Sequence, residues 1–154
     1  MEYKIGIVGQ GFVGSAINEG LKNFYQIETY DKFKEEVSTC DGIKDLCRKA
    51  NMIFLCLPTP MKKDGSCDLS IIERTILEID FHANDHIVII KSTIPPGTTK
   101  RLNKECPNLK VIFSPEFLTE ANFIDDFKNQ NRILIGGPRP ATTHVKNMFC
   151  KVFQ

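Results

Sequence analysis

Neither sign of charge dominates this chain. Its 154 residues carry 20 basic and 19 acidic side chains, so no net field draws it toward nucleic acid or an anionic membrane surface. Long hydrophobic runs are also missing. The longest apolar stretches, "IGIV" and "IFLCL", fall far short of the ~20 residues of a membrane-spanning helix. The amino terminus lacks a basic region followed by a long apolar one, so no secretory signal is evident and a cytoplasmic setting is expected. Repeats and low-complexity tracts are absent. The six cysteines, Cys40, Cys47, Cys56, Cys67, Cys106 and Cys150, form no C-x-x-C pair and no zinc or disulfide spacing. They read as reduced thiols, with Cys56 a small core residue in "MIFLCL". His82, Asp85 and His86 invite a metal reading, but no further ligand accompanies them; a solvated turn before a strand, with no metal, is the expectation.

What is present is the composition of an ordinary globular domain, 42% apolar and 25% charged, with enough chain to bury a core unaided. Short apolar runs alternate with amphipathic stretches. "YKIGIV", "QIETY", "MIFLCL", "HIVIIK", "KVIFS" and "RILIGG" read as six strands. Helical spacing follows the first strand through Val13, Ala16, Ile17, Leu21 and Phe24. It returns after Asp68, a candidate N-cap, through Leu69, Ile72, Ile76 and Ile79. Further helices are expected near 97–105, 119–127 and from Pro140 onward. Strands with few polar interruptions suit a parallel sheet buried on both faces. The fold class expected is therefore α/β, a Rossmann-type doubly wound parallel sheet in the order 3-2-1-4-5-6. Residues 1–137 would form the domain, and 138–154 would begin a connecting helix.

One loop carries a chemical signal. Gly9-Gln10-Gly11-Phe12-Val13-Gly14 follows a strand and opens a helix, and Asp31 ends the next strand 22 residues after Gly9, near the ~20-residue interval of a dinucleotide site. Gly9 would permit the tight turn, Gly11 the approach of a pyrophosphate, and Gly14 close packing of helix on strand. The helix start would offer its N–H groups to the phosphates. Asp31 would bind the adenosine ribose hydroxyls and repel a 2′-phosphate, favouring NAD over NADP; Lys32 and Lys34 beside it weaken that preference. The bland alternative is a structural turn without a ligand.

Four further stretches raise the specificity: "LPTP" at 57–60, "KSTIPPGTT" at 91–99, "SPEFLTE" at 114–120 and "DFKNQNRILIGG" at 126–137. With the glycine loop, and in this order, they resemble the amino-terminal domain of the UDP-glucose/GDP-mannose dehydrogenase family. The resemblance implies that Leu57, Pro58, Thr59, Pro60, Ser92, Thr93 and Ile94 contact NAD, together with the glycine loop, Asp31, Lys32 and Glu120. It implies catalytic roles for Glu116, as acid/base or water-orienting carboxylate, and for Thr93. Glu116, Phe117, Leu118 and Glu120 would meet the substrate, a sugar nucleotide, with UDP-glucose the leading candidate. On a helix start, Glu116 and Glu120 would share one face. Arg132 reads as a strand-start residue.

The family's reaction, by the same resemblance, oxidises a sugar-nucleotide alcohol to an acid with two NAD, through a cysteine thioester. That cysteine follows a glycine-rich stretch in a later domain, and no such stretch occurs here. Cys150, in "NMFCKVF", does not match it. These residues are therefore expected to be half an active site, inactive alone. Between Asp31 and Met52 the family has a longer insertion, and a short surface connection is expected instead. An NAD-binding module without catalysis, or a hydroxyacid dehydrogenase relative, remain the alternatives. The stripe Val145, Met148, Phe149 and Val152 has two open readings, a homodimer contact or packing onto the sheet.

Overall fold

The computed structural model describes residues 2–153. Five parallel strands form one sheet: β1 (Ile5–Val8), β2 (Ile27–Tyr30), β3 (Met52–Leu55), β4 (His86–Ile90) and β5 (Leu109–Phe113). The order is β2-β1-β3-β4-β5, with Ile5 paired to Ile27 on one side and to Met52 on the other. The doubly wound α/β class is as expected, but the third strand lies across β1 from β2, not outside it. Burial explains this. Every residue of β3 is buried, so "MIFL" needs a strand on each side and a helix layer on each face. In β2 only Thr29 is buried, which suits an edge.

Helices cover both faces. On one lie α2 (Ile43–Lys49), α3 (Ser70–His82) and α4 (Thr98–Glu105), packed on Val8, Ile53, Leu55, Val88, Ile90 and Val111. On the other lie α1 (Phe12–Leu21), α5 (Phe123–Lys128) and α6 (Ala141–Cys150), packed on Ile5, Ile7, Phe54, Ile89 and Ile112. The chain passes from the α1 layer to the α2 layer between β2 and β3. The winding therefore reverses at β1 and β3, whose carboxyl ends open the crevice where ligands bind in such sheets.

Four expectations need correction. The segment after Asp31 is more than a surface connection: beyond a single 3-10 turn at Glu35–Val37, α2 buries Ile43, Leu46 and Cys47 in the core. His86 is no solvated turn residue. It is buried as the first residue of β4, its Nδ1 accepts the Asn84 N–H at 3.1 Å, and its Nε2 therefore donates to the Cys47 carbonyl at 2.9 Å. "RILIGG" forms no strand. Among the described residues its backbone pairs with β5 in a single antiparallel bridge, Gly136 with Phe113, because α5 is too short to carry the chain back for a parallel pairing. Arg132 accordingly starts no strand; its guanidinium lies 4.4 Å from the Phe117 ring centroid.

The other helices follow from apolar spacing. Ile72, Ile76 and Ile79 are buried along α3, as the periodicity requires, but the half-buried Leu69 takes the N-cap position expected of Asp68, whose carboxylate one residue earlier accepts the Ser70 N–H at 2.9 Å. Val145, Met148 and Phe149 are buried against the sheet, which closes the open reading of that stripe in favour of packing; Val152 is half-buried. No helix among the described residues is long and apolar enough to cross a membrane.

Candidate coenzyme site at the carboxyl edge of the sheet

The glycine loop leaves β1 with Gly9 at φ 90, a left-handed conformation that disfavours any side chain. A Cβ on Gly14 would stand 1.9 Å from the Gly9 carbonyl oxygen, so only glycine lets α1 start so close to the strand. Gly11 differs. Nothing lies within 4 Å of the position its Cβ would take, so its missing side chain serves open space over the loop and not the packing of the protein. Among the described residues no side chain caps α1, and the first backbone bond of the helix is Ser15 N–H to the Gly11 carbonyl. The N–H groups of the first turn therefore face that open space with the positive end of the helix dipole. The loop has the shape and charge for a pyrophosphate.

Asp31 stands at the end of β2. Its Oδ2 accepts the Gln10 N–H at 2.7 Å and its Oδ1 the Phe33 N–H at 2.9 Å. Each oxygen keeps a further lone pair for a ribose hydroxyl. Lys34 donates to the Gln10 carbonyl at 3.0 Å, and the exposed Lys32 ammonium lies 5.8 Å from the Phe33 ring centroid.

On the other side of β1 a cavity of about 300 Å³ opens, walled by residues 11–13, 56–59, 91–93 and Glu116. These come from the carboxyl ends of β1, β3 and β4 and the loop after β5. Gly11, Phe12, Val13, Leu57, Pro58, Thr59, Ser92, Thr93 and Glu116, all expected from the sequence, meet here. Ser92 is occupied by the scaffold: its hydroxyl donates to the Leu57 carbonyl and accepts the Leu57 N–H at 3.2 Å. Thr59 likewise donates to the Thr93 carbonyl at 2.8 Å. The exposed Thr93 hydroxyl has no protein partner among the described residues.

Several expected residues lie outside this wall. Pro60 and Ile94 flank it, Ile94 packing against the core. Residues 114–119 are not helical, and α5 begins only at Phe123, so Glu116 and Glu120 share no helix face. Glu116 turns on itself, its Oε2 accepting the Leu118 N–H at 2.6 Å. Glu120 is exposed, Phe117 lies against Arg132, and Leu118 packs on the core.

Two wall residues escaped the sequence reading. Cys56 packs against the core, as its apolar run suggests, and also lines this site, its thiol pushed up to about 12 by burial, against the pull of Lys91. Lys91 is 5% exposed. Its ammonium is lowered to about 8 by burial, partly offset by Cys56 and Glu116. It donates to the Pro115 carbonyl at 3.3 Å. A lysine following a strand gives no sign in sequence that it is enclosed.

Residues 19–154 match the family model described as UDP-glucose/GDP-mannose dehydrogenase family, NAD binding domain. The chain is 29% identical to the UDP-glucose 6-dehydrogenase of Rattus norvegicus, with 98% of the chain aligned to 40% of that enzyme. Its fold matches a UDP-glucose dehydrogenase from Pyrobaculum islandicum at a TM-score of 0.87 and 23% identity, covering 99% of the chain and 45% of that structure. A GDP-mannose dehydrogenase from Pseudomonas aeruginosa gives 0.82 and 22%, over 97% of the chain and 44% of that structure. The chain thus spans less than half the length of these relatives.

Proposed function

Because the chain belongs to the UDP-glucose/GDP-mannose dehydrogenase family as its NAD-binding domain, we propose that it is the coenzyme half of an enzyme oxidising the C6 alcohol of a sugar nucleotide, UDP-glucose foremost, to the acid. The reaction removes four electrons, so two NAD each accept a hydride. The product would be a uronic acid donor for polysaccharide synthesis in the cytoplasm.

The observation that carries this reading is the placement of Glu116 in the same cavity wall as the uncapped start of α1. A carboxylate able to take a proton or orient water thus faces the place where a coenzyme held by the glycine loop would end. Phe12 and Val13 would form the floor under that end. Pro58 and Ser92 keep the two loops rigid, which lowers the entropy lost on binding. Thr93 would offer its free hydroxyl to the coenzyme, the substrate or an ordered water, and Glu120 with Phe117 and Leu118 would meet the sugar nucleotide. The nucleophilic cysteine and its lysine would come from a further part of the protein, since no glycine-rich cysteine stretch occurs within these residues. Residues 138–154 would begin the connection to it.

Calorimetric titration of the chain with NADH, NADPH and UDP-glucose tests the reading. Binding of NADH well above NADPH, without turnover of UDP-glucose by residues 1–154, is expected. Failure to bind NADH would remove the coenzyme site, and robust oxidation of UDP-glucose would overturn the partition of the active site.

A further inference from the structure

Lys91 is a lysine enclosed at the carboxyl edge of the sheet, only 5% exposed. A lysine is almost never enclosed unless paired, and taking an ammonium out of water is costly. Yet Lys91 forms no ion pair with a carboxylate among the described residues, and a single carbonyl, that of Pro115, accepts from it. It nevertheless forms part of the cavity wall. A charge kept in such a place at a cost to stability calls for a ligand that senses it.

The geometry of the coenzyme supplies one. With its diphosphate at the start of α1 and its adenosine ribose at Asp31 on the β2 side, the remaining nucleoside must extend to the β3 and β4 side. There the cavity opens and Lys91 lines it. That nucleoside carries the nicotinamide ring, positively charged when oxidised and uncharged when reduced. We propose that Lys91 sets the preference of the site between the two oxidation states, its ammonium disfavouring the cationic ring and so favouring the reduced coenzyme. This inference rests on the coenzyme reading above. It makes Lys91 a positioning charge that tilts hydride acceptance forward while the coenzyme is bound.

The wall contains few competing charges. Among the described residues, Glu116 from the loop after β5 is the one acid lining it and opposes Lys91 in sign, and Cys56 at the end of β3 is the one other titratable group. The glycine loop contributes Gly11, Phe12 and Val13, and residues 57–59, 92 and 93 carry no charge. With its thiol at about 12, Cys56 stays neutral where Lys91, at about 8, changes charge. Below that point the ammonium discriminates; above it the discrimination fades. Binding of the oxidised coenzyme should also expel part of the Lys91 proton.

The test is calorimetric titration of the chain with NAD+ and with NADH at about pH 7 and about pH 9, in buffers of differing ionisation enthalpy, for the parent, Lys91→Met and Lys91→Arg. In the parent the ratio of the NAD+ to the NADH dissociation constant should fall about tenfold across this range, with proton release on binding NAD+ only. Lys91→Met should give a low ratio at both pH values, and Lys91→Arg a high one at both, since arginine stays charged. Should Lys91→Met fail to fold, the proton release of the parent decides alone. Binding of both forms by the parent with a pH-independent ratio and no proton release overturns the role of Lys91 and leaves the coenzyme site standing. Binding of neither form overturns both.

Discussion

The backbone N–H of Gln10 donates to Oδ2 of Asp31 across 2.7 Å, tying the glycine loop to the end of the neighbouring strand. The carboxylate therefore has two tasks, to hold the loop in shape and to receive the ribose. Asp31→Ala removes both, and leaves the Gln10 N–H without its partner. Calorimetry should show NADH affinity reduced by more than tenfold, since hydrogen bonds to a charged group contribute about 1.5–3 kcal/mol. Asp31→Asn retains an acceptor for Gln10 and should fall between parent and alanine variant. Equal affinities for all three chains would leave Asp31 as a strand-end residue.

Ser92 and Thr93 are adjacent hydroxyls with different tasks. Ser92 joins two loops through both hydrogen bonds of its oxygen to Leu57. Ser92→Ala should lower thermal stability by about 1–3 kcal/mol and weaken NADH binding indirectly as the loops loosen. The Thr93 hydroxyl has no partner among the described residues, so Thr93→Val should leave the melting temperature unchanged. Any effect should be on ligand affinity alone. A destabilised Thr93→Val would contradict this assignment.

Gly20 and Phe127 form a size-matched pair in the contact of α1 with α5. A Cβ on Gly20 would lie 2.2 Å from the Phe127 ring, which is 2% exposed. Gly20→Ala should therefore destabilise the chain by about 1–3 kcal/mol through overpacking, despite the better helix propensity of alanine. Phe127→Ala alone should cost about 3–5 kcal/mol. In a denaturant double-mutant cycle the combined loss should be smaller than the sum, because the shortened side chain makes room for the added methyl. Strict additivity would mean that the two do not meet.

Much of this was legible in the sequence, and the gaps have physical causes. The glycine loop, Asp31 and the buried stripe of α3 follow local rules, spacing and steric need, that a chain states in its own order. The strand order does not. Whether β3 sits outside β2 or across β1 depends on which strand can tolerate an edge, and the polar Glu28 and Thr29 of β2 carry that signal more quietly than periodicity does. The alternation of Ile133, Leu134 and Ile135 is strand-like, and the two isoleucines are half-buried while Leu134 is 53% exposed. Pairing requires a path that α5 does not provide. α2 is too short for its spacing to stand out. Lys91 was unreadable because enclosure is a property of the folded wall and not of the residue.

Ser114 provides a last test at the same edge. Its hydroxyl is fully enclosed and has no partner among the described residues, while its backbone N–H continues the ladder to the Ile90 carbonyl at 3.0 Å. An unpaired buried hydroxyl costs about 1–3 kcal/mol of desolvation, and its removal leaves the backbone bond intact. Ser114→Ala should thus be neutral or raise the melting temperature by about 2–4 °C, the shift that ~1 kcal/mol gives in a domain of this size. Because Ser114 directly precedes Pro115, whose carbonyl receives Lys91, the same variant also reports on the loop. NADH affinity should stay unchanged if that carbonyl keeps its place. A fall in stability would instead reveal a buried water bridging the hydroxyl to the site.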